Sequence, residues 1–326
     1  MKLHPLWAEY PTLQTELKAT RTLMESSIKL TNKEVEQAIL TMIESGGKLL
    51  RPAYQLLFAT FGPDQNRDKA IAIAASIELL HTATLIHDDI VDEAEVRRGT
   101  SSIRAHFGNA TAVYAGDYLF VSCFKLMSAY ASSLKSLQLH SNSMEKILNG
   151  ELGQMDHRYH YTITVEEYLE TISGKTAELF ALSCGIGAIE SGTSERFAKK
   201  ASDIGMAIGM AFQIIDDSLD YSQKEQVLGK PVLNDVKQGV YSLPLIISLN
   251  QAPERLLPLL MKQNAMTIED QQQIWEIVQE QNGVKQAYSY AEQYTKKALK
   301  LIASLPETPA KTQLTTLTKT ILNRHN

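Results

Sequence analysis

The 326-residue chain holds only two cysteines, Cys123 and Cys184, each inside an apolar stretch. A disulfide framework is thereby disfavoured, and both read as reduced packing thiols. No proline falls between Pro63 and Pro231, so the strongest local breaker of helices is missing from about half of the sequence. There is no basic block, and the net charge is −5, which removes the electrostatic footprint of a nucleic-acid binder. The amino terminus, MKLHPLWAEYPTL, lacks the apolar core of a secretory signal, and a cytoplasmic protein is expected. The most apolar run, Ala70 to Ile86, is interrupted by Glu78 and His81 and falls short of the roughly 18 uninterrupted apolar residues of a membrane span. It reads as a buried helix. Strand-like alternation of Val, Ile and aromatic residues is scarce.

What is present is apolar residues at three- and four-residue spacing, with 44% hydrophobic and 21% charged residues, enough to bury a large core. The fold class expected is all-α. The pattern predicts helices over 5–26, 33–45, 51–61, 67–94, 109–131, 134–157, 164–173, 175–190 and 194–221. Further helices are expected over 242–249, 254–262, 268–280, 283–303 and 307–323, after a long break at 222–241. No solenoid repeat or Ser/Pro-rich linker appears, and a single domain over 1–326 is expected.

Two acidic clusters stand out: LIHDDIVDEAEVRRG, with Asp88, Asp89 and Asp92, and FQIIDDSLDY, with Asp216, Asp217 and Asp220. Each repeats Asp-Asp-x-x-Asp, which puts two carboxylates one helical turn apart; His81 and Thr84 fall within roughly 40° of Asp88 on the same face. A solvated acidic face is the ordinary explanation of such a run. Against it, like charges at this spacing destabilise a helix by about 0.2–0.5 kcal/mol, and Leu85, Ile86, Ile90, Ile214, Ile215 and Leu219 would partly desolvate them. Partly buried carboxylates need a partner, and an all-oxygen set selects a hard cation such as Mg²⁺. Two such helices facing one another would clamp a polyphosphate.

The cations for a polyphosphate are also present. ESGGKLLRP supplies Lys48 and Arg51, Arg97 and Arg98 follow the first cluster, and ISGKTAELF supplies Lys175 and Thr176. Gly46 and Gly47 let backbone N–H groups approach an anion, although Met42 and Leu49 rule out a Walker A loop. In order along the chain, GGK-x-x-RP, ELLHTATLIHDDIVDEAEVRRG, GDYLF, GELGQ, SGKTAELF, FQIIDDSLDY, LGKP and SLPL resemble the trans-polyprenyl diphosphate synthases. Within that family the chain looks most like the catalytic subunit of the bacterial heptaprenyl-type enzymes.

The resemblance implies the isoprenoid synthase fold, a large helical bundle around a central cavity. It implies that Gly47, Lys48, Arg51, His81 and Arg98 hold isopentenyl diphosphate, and that Arg97, Lys175, Thr176, Gln213 and Lys230 contact an allylic diphosphate. Asp88, Asp92 and Asp216 would hold two or three Mg²⁺ ions, with Asp89, Asp217 and Asp220 as further ligands or one layer behind; Arg97 and Lys175 would share in catalysis. Ala83 and Thr84, small and just before Asp88, would let a long product grow. A homodimer, or a heterodimer with a small partner subunit, is implied as well. Two positions depart from the family pattern: Leu49 where arginine is frequent, and Val240 where lysine is frequent. Rival readings are a short-chain geranylgeranyl diphosphate synthase, a terpene cyclase, a metal-dependent phosphohydrolase built on His87-Asp88, and a non-catalytic partner subunit.

Overall fold

The computed structural model describes residues 3–222 and 233–323. Lys230, one of the expected diphosphate contacts, lies outside the described residues. The described chain is almost wholly helical: α1 (Pro11–Ser27), α2 (Lys33–Glu44), α3 (Leu50–Phe58), α4 (Arg67–Val91), β1 (Val96–Arg97), β2 (Thr100–Ser101), α5 (Ile103–Phe107), α6 (Asn109–Tyr130), α7 (Leu134–Asp156) and α8 (Val165–Ile172). It continues with α9 (Glu178–Glu190), α10 (Glu195–Leu219), α11 (Asn234–Lys237), α12 (Leu243–Gln251), α13 (Pro253–Leu260), α14 (Ile268–Glu280), α15 (Gly283–Ala303) and α16 (Pro309–Leu322).

Where helix starts match expectation, the caps explain them. Asn66 accepts from Lys69 N–H at the head of α4, and Thr164 and Thr267 form capping boxes with Glu167 and Asp270 at the heads of α8 and α14. The expected 5–26 helix is instead a 3₁₀ turn, Pro5–Glu9, followed by α1, because Pro11 cannot donate and holds Tyr10 in a non-helical conformation (φ −128°). The expected 67–94 helix stops at Val91 and gives way to a two-stranded hairpin pairing Val96 with Ser101 and Arg97 with Thr100. Arg98 (φ 52°) and Gly99 (φ 80°) make its turn, both left-handed, as a tight hairpin of right-handed twist requires. Two short helices, α5 and α11, fall in segments expected to be loop. The break expected at Gly174 is a π-helical turn, Ser173–Ala177, that leads from α8 into α9 without interruption.

Two compact units make up the chain: residues 1–141 with 182–202, and residues 142–181 with 203–326. In the first, α4 is the core helix and packs chiefly on α6, with α1 and α3 also against it. Ala72, Ile73, Ile77, Leu79, Ala83 and Ile86 of α4 are fully enclosed; enclosing a side chain of the Leu or Ile kind contributes about 1.5–3 kcal/mol. Among the described residues α4 is also the one helix long and apolar enough to cross a membrane, yet 72% of its most apolar window is buried inside the protein, as in a core helix. In the second unit, α12 lies on α15, and α16 packs on α15.

Both cysteines are free and buried. Cys123 Sγ lies 3.3 Å from His140 Nε2 in the first unit, and burial lowers the His140 pKa from 6.5 to about 4. The unfolded chain therefore takes up this proton first as pH falls, so its contribution to stability is complete above pH 6.5 and is lost on the way to about pH 4. The shift corresponds to at most about 3 kcal/mol. Denaturant melts across this window should show that slope, and His140→Asn should flatten it.

Candidate active site

Both acidic motifs lie at the ends of their helices: Asp88 and Asp89 in the last turn of α4 with Asp92 as its cap, and Asp216 and Asp217 in the last turn of α10 with Asp220 just beyond. A helix C-terminus carries partial negative charge, so carboxylates here are opposed by the macrodipole as well as by each other, and a bound cation relieves both penalties.

In the first unit the middle aspartate is the most deeply buried of the three. Asp89 is 2% exposed, and its Oδ1 accepts from Arg97 Nε at 2.7 Å and also from the second arm of the same guanidinium. Burial raises the Asp89 pKa, and Arg97 opposes that rise. Asp88 and Asp92, the pair one turn apart, are half-buried. The hairpin is what brings Arg97 back to the motif, and its left-handed turn residue, Arg98, reaches the Gly46–Gly47 step. The Arg98 guanidinium nitrogens lie 3.4 Å from where side chains on Gly46 and Gly47 would begin. The Gly-Gly step thus provides the room for Arg98 over the loop that carries Lys48. That loop is pinned by Trp7, whose indole N–H donates to Lys48 O at 2.8 Å, and it enters α3 through Leu49 at φ 52°.

Glu78, noticeable in the sequence only as a break in an apolar run, is buried at 5% exposure. Its pKa is raised by burial, with Arg51 and Arg98 pulling it back down. Arg51 is in turn shifted down first by burial, while Glu78 favours its charge and Arg98 opposes it. Glu78 is therefore the anionic counterweight that lets two guanidinium groups sit near each other. His81 is half-buried and its pKa is driven well below 6.5, by desolvation and then by Arg51, Arg98 and Arg97, so the imidazole is neutral and can donate a hydrogen bond without carrying charge. His87 is engaged elsewhere, 3.3 Å from both Asp117 Oδ1 and Val113 O on α6. The partners that His87 Nε2 has are thus on α6. Ala83 is fully buried and Thr84 half-buried, its hydroxyl donating to His81 O at 2.8 Å.

The second unit holds its middle aspartate with different partners. Asp217 accepts from Tyr168 OH at 2.6 Å and from Gln213 Nε2 at 2.7 Å, and Gln213 Oε1 accepts from Thr176 at 2.8 Å. Desolvation pushes Asp217 up to about 7, the two donors opposing and Asp216 and Asp220 adding to the rise. Asp216 and Asp220 are exposed, and Asp220 is raised to about 6 by desolvation, then by Asp235 and Asp216. Lys175 donates to Glu151 Oε2 at 2.8 Å and Gln154 Oε1 at 2.7 Å, so the GELGQ stretch is the lysine's cradle. Gly150 is what allows it, since a side chain there would begin 2.5 Å from Lys175 N. Neither Tyr168 nor the partners of Lys175, Glu151 and Gln154, could be assigned from one sequence; GELGQ was visible as a motif without a role. On the expectation that Asp217 lies in or behind a metal site, Tyr168→Phe should leave the fold intact and weaken Mg²⁺ activation by roughly 10–100-fold, read from the Mg²⁺ dependence of turnover.

The comparisons with known proteins give the class, a prenyltransferase. The family model for polyprenyl synthetase matches residues 32–278. The chain belongs to the polyprenyl synthetase family, whose members are metal-dependent enzymes acting on isoprenyl diphosphates. Heptaprenyl diphosphate synthase component 2 of Bacillus subtilis is 33% identical over 97% of this chain and 90% of its own length. A crystal structure of geranylgeranyl pyrophosphate synthase from Lactobacillus brevis superposes with a TM-score of 0.95 at 42% identity, covering 98% of this chain and 99% of that one. Heptaprenyl diphosphate synthase from Staphylococcus aureus superposes at 0.88 with 32% identity, over 96% and 99% of the two chains. The fold is that of the isoprenoid synthases.

Proposed function

We propose that the chain condenses isopentenyl diphosphate with an allylic diphosphate, farnesyl or geranylgeranyl, to make a medium- or long-chain all-trans polyprenyl diphosphate and pyrophosphate. The observation that carries this reading is the placement of the two motifs: Asp88 with Asp92, and Asp216 with Asp220, stand one helical turn apart at helix C-termini, with Asp89 held beside them by Arg97 and Asp217 by Tyr168 and Gln213. These pairs fit Mg²⁺, two or three ions, which when bound supplies positive charge for the departing pyrophosphate. Arg97 and Lys175, with Thr176, Gln213 and Lys230, bind the allylic diphosphate and share that stabilisation. Gly47, Lys48, Arg51, neutral His81 and Arg98 bind isopentenyl diphosphate. As the allylic carbon–oxygen bond breaks, the isopentenyl double bond attacks the cationic carbon. The proton then lost goes to the released pyrophosphate, so no protein base is required.

Residues 1–326 are taken as a single polyprenyl synthetase domain working in the cytoplasm. Self-association is supported by α6, whose outer face exposes Val113, Tyr114, Val121 and Phe124, and by Leu148, Leu152 and Met155 along α7. A homodimer, or a heterodimer with a small subunit, would cover such faces.

The test is incubation of the chain with Mg²⁺, labelled isopentenyl diphosphate and farnesyl diphosphate, with the products dephosphorylated and sized. Alcohols longer than geranylgeraniol are expected, with pyrophosphate release only when both substrates are present; hydrolysis of either substrate alone would sink the reading. Small side chains at Ala83 and Thr84 favour long products over the geranylgeranyl alternative. Thr84→Phe should therefore shorten the alcohol on chromatography, and an unchanged length would refute this placement of the growing tail.

A further inference from the structure

In the second unit, apart from both aspartate motifs, His157, His160 and Glu167 each bring one donor atom within 4.8 Å of the other two. His157 follows the end of α7, and His160 lies three residues on. Tyr159 between them is left-handed (φ 57°), its N–H donating to Gly239 O at 2.9 Å and its hydroxyl to Lys237 O at 3.1 Å. That anchored bend turns His160 back toward His157, with ring centroids 6.0 Å apart. Glu167 comes from the first turn of α8. Its Oε2 accepts from Thr164 N–H and hydroxyl at 2.7 and 2.9 Å, which keeps the carboxyl ionised, and Oε1 can bind a ligand without breaking the capping box. Each imidazole has a threonine hydroxyl against one ring nitrogen, Thr162 at 2.9 Å from His160 Nε2 and Thr171 at 3.5 Å from His157 Nδ1. Such partners orient histidine ligands around metals.

We propose that His157, His160 and Glu167 form a binding site for a borderline transition-metal ion of the Zn²⁺ type, which clips the end of α7 to the start of α8. Two imidazoles and one carboxylate are a zinc donor set, whereas the oxygen-only aspartate pairs select Mg²⁺, so the chain separates two metal chemistries by ligand type. Donors sit about 2.0–2.2 Å from a zinc ion, a geometry that three donor atoms within 4.8 Å of one another admit. The clip acts on the frame that holds Lys175, because α7 carries Glu151 and Gln154 and α8 leads into the π turn.

Calorimetric titration of Zn²⁺ into the full chain, held in saturating Mg²⁺, tests this, alongside the variants His160→Asn, Glu167→Gln and Asp88→Asn. Wild type and Asp88→Asn should take up one further Zn²⁺ per chain, and the other two variants should bind it at least roughly 10–100-fold more weakly. Glutamine still serves in the capping box and His160 is exposed, so neither variant should unfold; melts without Zn²⁺ check this, and a Zn²⁺-dependent rise in Tm should vanish in both. Zn²⁺ uptake that is absent in the wild type, or unchanged in both variants, would overturn the proposal.

Discussion

Replacing Asp88 by Asn should lower kcat on the order of 10³-fold or more while leaving the melting temperature of the metal-free chain unchanged or slightly higher. The two effects have opposite signs for one reason. Asp88 and Asp92 repel each other across one turn, at a helix end whose dipole already disfavours negative charge, so removing one charge relaxes α4 by a few tenths of a kcal/mol. In the proposed reaction the same charge holds the cation that stabilises departing pyrophosphate, and losing one such electrostatic contact typically costs 10²–10³ in rate before ion loss is counted. Asp216→Asn should behave likewise in the second unit. Steady-state rates under varied Mg²⁺ together with melts in chelator provide the check; a variant that loses activity only in proportion to lost stability would assign these aspartates to folding.

Arg51→Met should raise KM for isopentenyl diphosphate by roughly 10²-fold and cost on the order of 2–4 kcal/mol of stability, because it leaves Glu78 buried with one fewer cation. Burial already raises the Glu78 pKa, with Arg51 the largest opposing influence. Adding Glu78→Gln to Arg51→Met should return most of the stability, since a neutral amide no longer needs that counter-charge, while KM stays high. A double-mutant cycle separates the two roles. If Glu78→Gln restored substrate affinity along with stability, Arg51 would be a structural partner of Glu78 and not a diphosphate ligand.

The helices were legible because their caps and apolar spacing are local: Asn66, Thr164 and Thr267 announce α4, α8 and α14 within three residues of their starts. The acidic motifs were legible for the same reason. What the sequence hid are interactions between distant positions. Tyr168 reaches Asp217 across 49 residues, and Lys175 reaches Glu151 across 24, with no local pattern to betray either. Glu78 looked like an imperfection in an apolar run, since nothing nearby in sequence shows that Arg51 and Arg98 surround it. The hairpin at 96–101 was missed because an arginine fills the left-handed turn position where Asn, Asp or Gly would signal it.

The π turn between α8 and α9 has a consequence for how this helix can vary. Tyr168 and Thr176 are eight residues apart and both belong to the chain of hydrogen bonds that ends on Asp217. In an unbroken α-helix their directions would differ by about 80°, but the π turn absorbs one residue and brings them to within roughly 20°. The extra residue works as a phase correction: it puts two side chains of a single helix in step with one partner helix. A chain shorter by one residue anywhere from Ser173 to Ala177 would have a more regular helix and would present Tyr168 and Thr176 to different neighbours.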